Sequence, residues 1–94
     1  MHQINLGIQV VPIAAADQGY PIIDECIALI QKSGISYTVT PFETVLEGNY
    51  KEIMSLVHDI YERANTLSPE TVINIRIHSK QNKDVVAKDK TDKF

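Results

Sequence analysis

The sequence predicts an α+β domain with the ferredoxin-like β-α-β-β-α-β order, in which two helices cover one face of a four-stranded antiparallel sheet. Three observations lead to this prediction. The chain has 94 residues, which suffice for one modest hydrophobic core but not for two domains. Four short segments show the period of two that is typical of strands, and two longer segments show helical spacing. Right-handed crossovers then place both helices on the same side of the sheet.

The first strand and the first helix are predicted by periodicity and by two prolines. Residues 4–11 alternate between apolar and small or polar side chains, as a half-buried strand does. Pro12 ends this strand because it has no N–H to donate to a ladder. A loop is predicted over residues 13–20. Pro21 suits the first turn of a helix, which is predicted over residues 21–33 and ends at a Ser-Gly pair.

A hairpin, a second helix and a last strand complete the order. Segments rich in β-forming residues, 36–40 and 43–47, are separated by a Pro-Phe turn, and so short a connection requires an antiparallel hairpin. Asn49 is a candidate N-cap for a helix over residues 50–66, where apolar residues recur at helical spacing. Alternation predicts the fourth strand over residues 71–79.

The two faces of this sheet are predicted to differ in polarity. The side chains expected to pack against the helices are Leu6, Ile8, Val39, Ile73, Ile75 and Ile77. The opposite face has no helix and is expected to present Asn5, Gln9, Thr38, Thr40, Asn74 and Arg76. Two interpretations of this open face are available, because it either meets water or contacts another subunit or a ligand.

The charge distribution argues against nucleic acid and membrane partners. The net charge is −3, and residues 1–79 contain no cluster of basic side chains that could neutralise phosphates. No apolar run reaches the about 20 residues of a membrane helix. The start of the chain lacks the features of a signal peptide, so a cytoplasmic location is expected.

We expect one domain over residues 1–79 and a solvated Lys- and Asp-rich tail over residues 80–94.

No residue pattern predicts catalysis or a bound metal. Cys26 is the only cysteine, and its apolar and acidic neighbours favour a role in the core over one as a nucleophile. The three histidines lack the spacing of a zinc site. No nucleophile–base pair or phosphate-binding loop is visible. We therefore expect no enzyme activity and no catalytic or metal-binding residues.

The predicted fold hosts many functions, and several of them do not fit these residues. A metal chaperone would carry Cys-x-x-Cys in its first loop, and an acylphosphatase would carry an arginine there; this chain has neither. An RNA-recognition domain would place aromatic residues on strands one and three for base stacking, and strand one has none. A small-molecule regulatory domain stays open.

A more specific likeness lies in the hairpin. The pattern Thr40-Pro41-x-x-Thr44-x-x-Glu47-Gly48, followed directly by the second helix, resembles the YkoF-like thiamine-binding family. The Val-Val-Pro end of strand one is a weaker, supporting match. The matching elements run in order over residues 4–79.

This resemblance implies binding of thiamine or of its hydroxymethylpyrimidine half, without turnover and without a cofactor, for buffering, sensing or delivery of the vitamin. It also implies a homo-oligomer, a dimer or a tetramer. Glu43 or Glu47 is suited to balance the thiazolium cation, and phosphorylated forms are less favoured because Arg76 is the one cation near the site. The ligand-binding candidates are Gln9, Thr40, Thr44, Glu47 and Asn74.

Two other functions compete with this prediction. A structural or regulatory homo-oligomer would use the open sheet face as a protein interface and would show no response to a ligand. An enzyme acting on a small metabolite would need reactive groups for which the sequence gives no support.

Overall fold

The structure is a computed structural model that describes residues 2–14 and 16–94 of the chain. Four strands form one sheet in the order β2-β3-β1-β4, and every neighbouring pair is antiparallel. The predicted ferredoxin-like order is therefore confirmed, with a short helix added after it. The elements are β1 (Gln3–Pro12), α1 (Ala16–Ser33), β2 (Ser36–Val39), β3 (Thr44–Asn49), α2 (Tyr50–Leu67), β4 (Thr71–His78) and α3 (Ala87–Thr91).

The first helix begins earlier than the sequence predicts. α1 starts at Ala16, so that Pro21 lies inside the helix and not in its first turn. Proline lacks the N–H that would bond the carbonyl four residues earlier, at Asp17, and the helix continues past this missing bond. The loop predicted over residues 13–20 is correspondingly shorter, and its residue 15 lies outside the described residues.

The second helix begins where its cap predicts. Asn49 has an extended backbone conformation, with φ of −70° and ψ of 134°, and its side-chain oxygen accepts hydrogen bonds from the backbone N–H groups of Lys51 and Glu52. These contacts satisfy two of the N–H groups that the first turn of a helix leaves without partners. The predicted N-cap is therefore confirmed.

The core lies between the two long helices and the central strands β1 and β3. Leu6, Leu46, Ile53 and Ile60 are fully buried there. Because these residues come from two strands and a helix, they join the sheet to the helical layer.

Three of the predicted core residues are not buried. Val39, Ile75 and Ile77 point to the helical side of the sheet but are 51%, 39% and 47% exposed. The expectation that they pack into the core is wrong because β2 and β4 are the edge strands, where the helical layer gives little cover.

Part of the C-terminal tail, residues 80–94, packs on the open face of the sheet. Val85 is only 1% exposed, and its N–H donates to the carbonyl oxygen of Gln3 at 3.1 Å. The N–H of Gln3 donates in turn to the Asp84 carboxylate at 2.7 Å. The expected solvated end thus does not describe this stretch, whereas the division into a domain over 1–79 and a tail over 80–94 stays a prediction.

None of the helices within the described ranges combines the length and the apolar character that a membrane crossing requires.

Candidate functional site

The turn between β2 and β3 is held by the hydroxyl of Thr40. Its Oγ1 donates to the carbonyl oxygen of Glu43 at 2.6 Å and accepts from the N–H groups of Phe42 and Glu43. The N–H of Thr40 also donates to the Glu43 carbonyl at 2.9 Å. A threonine that bonds its own turn in this way fixes the backbone locally. Thr40 therefore shapes the turn, and its hydroxyl is already engaged.

A cavity of about 240 Å³ opens beside this turn. Its walls come from β1, from α1 and from the hairpin, with one residue of α2 at its base. Apolar side chains dominate the lining, as is usual for pockets that bind small organic molecules. The lining residues are Ile8, Gln9, Val10, Tyr20, Ile23, Cys26, Ile27, Ile30, Val39, Thr40, Pro41, Phe42, Glu43, Thr44 and Ile60.

Thr44 supplies a polar group inside this apolar lining. It is 7% exposed and lies on the helical side of β3. Among the described residues, no hydrogen bond to or from the Thr44 hydroxyl is found. A hydroxyl can both donate and accept a hydrogen bond, so that of Thr44 is available to a ligand that enters the cavity.

The buried Cys26 forms part of the same lining. Burial raises the pKa of the Cys26 thiol; Arg63 opposes this shift and Glu25 adds to it. A raised thiol pKa keeps this cysteine neutral and unreactive at neutral pH. Cys26 therefore acts as an apolar wall, as the sequence predicts.

The rim of the cavity combines two aromatic rings with the acidic residue Glu43. Tyr20 on α1 is 77% exposed and Phe42 in the turn is 80% exposed, although aromatic side chains are usually more buried. Glu43 follows Phe42 and lines the cavity as well. Aromatic faces and carboxylates both attract organic cations, so this rim is suited to a positively charged ligand group.

The Glu43 carboxylate lies over Gly7 on the open face of the sheet. A Cβ atom at Gly7 would come within 2.6 Å of Glu43 Oε2, so the carboxylate occupies the space that a side chain would fill. Arg76 Nη2 donates to the same oxygen at 3.1 Å. The Glu43 side chain is 25% exposed and that of Arg76 is 83% exposed, so the carboxylate is held in place while the guanidinium stays in solvent.

Gln9 and Asn74 lie on the open face, as predicted, and their side chains contact each other there. Asn74 Nδ2 donates to Gln9 Oε1 at 3.2 Å across neighbouring strands. Both residues line a groove of about 380 Å³ together with Phe42, Glu43 and Arg76. Glu43 thus borders both the cavity on the helical side and this groove on the open face.

Glu47 lies apart from the cavity. Its Oε2 accepts hydrogen bonds from Asn5 Nδ2 at 3.0 Å and from the N–H of Ala87 at 2.6 Å, so the carboxylate holds the C-terminal tail against the sheet. Thr44 and Glu47 are three residues apart in one strand, and an odd spacing places two side chains on opposite faces. The structure therefore does not bring these two predicted site residues together.

Two features of the site could not be predicted from the sequence. Tyr20 falls in a segment that periodicity assigns to a loop, so its position beside the hairpin is not visible from the sequence. Gly7 is the one residue without a side chain on the open face of β1, which is a weak sign of a close approach by another group.

Comparison with known proteins adds an independent finding. The sequence model of a family described as thiamine-binding protein matches residues 6–94. A domain of unknown function, DUF77, from Bacillus cereus has a TM-score of 0.91 at 28% identity and covers 99% of this chain and 90% of its own. A Thermotoga maritima protein provisionally assigned to thiamine biosynthesis or salvage has a TM-score of 0.90 at 26% identity, with 97% of both chains covered.

A curated relative matches over a shorter stretch. A UPF0045 protein of Clostridium perfringens is 28% identical over 57 residues, which are 61% of this chain. The match spans 60% of the length of that relative, less than two thirds of it.

Proposed function

The chain belongs to the thiamine-binding protein family, and from this premise we propose that it binds thiamine or hydroxymethylpyrimidine without converting either one. Family membership confirms the resemblance found in the hairpin sequence. The ligand, the site residues and the absence of turnover are the proposal.

The cavity is suited to the pyrimidine ring. Its volume of about 240 Å³ lies below the about 300–1,000 Å³ of pockets that hold drug-sized ligands, so it has room for one ring and not for two. An aminopyrimidine presents an amine donor and ring nitrogens that accept hydrogen bonds. The Thr44 hydroxyl can pair with either kind of group, while the aliphatic side chains around it cover the ring faces.

The rim is suited to the thiazolium ring. A ligand whose pyrimidine fills the cavity must extend its second ring past Phe42, Tyr20 and Glu43. The carboxylate and the aromatic faces all favour a cation at that place. The observation that carries the proposal is that one small apolar cavity combines the Thr44 hydroxyl, for which no hydrogen bond is found among the described residues, with a rim that attracts cations.

The proposal is tested by calorimetric titration of the protein with thiamine and with hydroxymethylpyrimidine. The variant Thr44→Val keeps the shape of the side chain and removes its hydroxyl. Thr44→Val is expected to lose one hydrogen bond worth about 1.5 kcal/mol, so its affinity for both ligands falls roughly tenfold. The control variant is Thr38→Val, which makes the same change on exposed strand β2 away from the cavity lining.

Three results would contradict the proposal in different ways. Absence of saturable heat from folded protein rejects ligand binding. Equal affinities for Thr44→Val and Thr38→Val reject the cavity as the site. Catalytic loss of thiamine, followed by mass spectrometry during incubation, rejects a purely binding role.

We also propose that the chain associates with copies of itself through the edge strand β4. Among the described residues β4 pairs only with β1, so one side of its backbone has no strand partner. The apolar residues Val72, Ile75 and Ile77 of this strand are 39–47% exposed. The variant Ile77→Lys is expected to dissociate the oligomer in sedimentation experiments, whereas Ile13→Lys, a change at a similarly exposed residue that follows β1, is not. A wild-type monomer at micromolar concentration would overturn this proposal.

A further inference from the structure

We propose that this site prefers a phosphorylated form of its ligand, and that the phosphoryl group lies on the open sheet face between Arg76, His78 and Lys90. The inference rests on the proposed function, because it assigns the third part of a ligand whose rings occupy the cavity and the rim. A preference for phosphorylated ligands is the reverse of what the sequence predicts, since phosphorylated forms are expected there to be less favoured.

The C-terminal tail brings a second cation to the open face. Lys90 on α3 places its Nζ 2.8 Å from Nδ1 of His78. His78 and Arg76 are two residues apart in β4, so their side chains point to the same face, about 7 Å apart along the strand. The three residues line one groove of about 200 Å³. From the sequence alone, Arg76 is the one cation near the site, because the tail is expected to be solvated.

Lys90 has no acidic partner in the part of the chain that the structure describes. Its contact is with the His78 imidazole, and the four ion pairs among the described residues involve other groups. An ammonium group without a carboxylate beside it attracts a phosphoryl oxygen without first breaking an ion pair. This distinguishes Lys90 from Arg76, which is paired with Glu43.

Breaking the ion pair between Arg76 and Glu43 costs least when the ligand carries both a positive and a negative charge. A thiazolium cation that approaches Glu43 competes with the Arg76 guanidinium for the same carboxylate. Unphosphorylated thiamine would therefore leave Arg76 without a partner. A thiamine phosphate supplies the cation for Glu43 and an anion for Arg76 and Lys90 at the same time, so every charge in the groove stays paired.

The grooves connect the two ends of such a ligand. Glu43 lines the cavity, the groove that holds Gln9 and Asn74, and the groove that holds Lys90. Along β1, the step from Gln9 at the cavity to Gly7, which lies opposite Arg76, is about 7 Å. A ligand whose second ring crosses the rim at Glu43 therefore has Arg76 directly beyond it.

The test compares thiamine, thiamine phosphate and thiamine diphosphate by calorimetry at low ionic strength. We expect the phosphorylated forms to bind roughly tenfold more tightly, with an advantage that shrinks as salt is added, because Arg76 is largely in solvent. Lys90→Gln is expected to remove most of this advantage and to leave the affinity for unphosphorylated thiamine within about twofold. The matched control is Lys88→Gln, the same change on the same helix outside the groove lining.

The outcomes separate this inference from the proposed function. Binding of thiamine with equal or weaker binding of its phosphates overturns the inference and leaves the proposed function standing. Binding of none of the three rejects both. An advantage that survives in Lys90→Gln, or that falls equally in Lys88→Gln, rejects the assigned groove. Inorganic pyrophosphate is titrated alone, and binding that depends on Lys90 but is not blocked by thiamine diphosphate would show a separate anion site and overturn the inference.

Discussion

Replacing Gly7 by alanine tests whether the Glu43 carboxylate recognises the cationic part of the ligand. The new methyl group would lie 2.6 Å from Glu43 Oε2 and 2.9 Å from Glu43 Cδ, closer than nonbonded atoms approach. Both atoms belong to the end of a flexible side chain, so the carboxylate swings away and the sheet stays as it is. The substitution therefore moves the proposed cation-binding group without removing it.

The expected change in stability is small because two effects oppose each other. Moving Glu43 breaks its ion pair with the exposed Arg76, which is worth about 0–1 kcal/mol. Alanine in place of glycine inside a strand returns about 0.5–1 kcal/mol through a lower backbone entropy in the unfolded chain. The free energy of unfolding of Gly7→Ala is therefore expected to stay within about 1 kcal/mol of the wild type.

The expected change in affinity depends on the ligand. In Gly7→Ala, thiamine loses its contact with the Glu43 carboxylate. Two unit charges about 4 Å apart near a protein surface attract each other by at most about 4 kcal/mol. Exposure to solvent and competition from Arg76 reduce this interaction energy. We expect roughly a tenfold to thirtyfold weaker affinity for thiamine. Hydroxymethylpyrimidine carries no thiazolium, so its affinity is expected to change less than about twofold.

The assay is calorimetric titration with both ligands, together with urea unfolding. Gly19→Ala serves as the control, because a Cβ at that helical position meets no atom within 4 Å. Equal losses for thiamine and hydroxymethylpyrimidine would show that the substitution disturbs the cavity and not the cation contact. An unchanged affinity for thiamine would refute the role of Glu43, and a loss of stability above about 2 kcal/mol would refute the assumption that the carboxylate moves freely.

Three further predictions concern a helix cap, the tail and the buried thiol. Asn49→Ala is expected to cost about 1 kcal/mol in urea unfolding, because the first turn of α2 loses its side-chain acceptor; an unchanged midpoint would contradict this. Val85→Ala removes buried apolar surface worth about 1.5 kcal/mol, so limited proteolysis should cut the tail faster than in the wild type, and equal rates would count against the packed tail. Burial raises the pKa of the Cys26 thiol in the folded protein. The contribution of this group to stability is therefore present below the pKa of the unfolded thiol and is lost as pH rises through the pKa of the folded thiol. Rapid modification of the native protein by a thiol reagent at pH 7 would contradict a neutral, buried thiol.

The order of elements could be predicted from the sequence because it depends on local patterns. Alternation over β1 and helical spacing over α2 reflect which face of each element is buried, and Asn49 acts on N–H groups two and three residues ahead of it. The start of α1 could not be predicted in this way. Pro21 signals a first turn, but a helix can continue through one proline when its other hydrogen bonds persist.

The candidate site depends on contacts that no local pattern contains. The hairpin pattern identifies Thr44 and Glu47, yet only the register of β3 against β1 shows that one faces the cavity and the other holds the tail. Glu43, Gly7 and Arg76 come from three different strands and meet only in the assembled sheet.

The sequence by itself thus indicated the family, the fold class and the signals at turns and helix starts, because these rest on local residue patterns and on the order of those patterns along the chain. Tertiary structure alone decided which strands form the exposed edges and how the tail reaches the open face to place Lys90 beside His78. The physical reason is that burial and charge pairing depend on distances in space, and contacts such as that between Asp84 and Gln3 join residues at opposite ends of the chain.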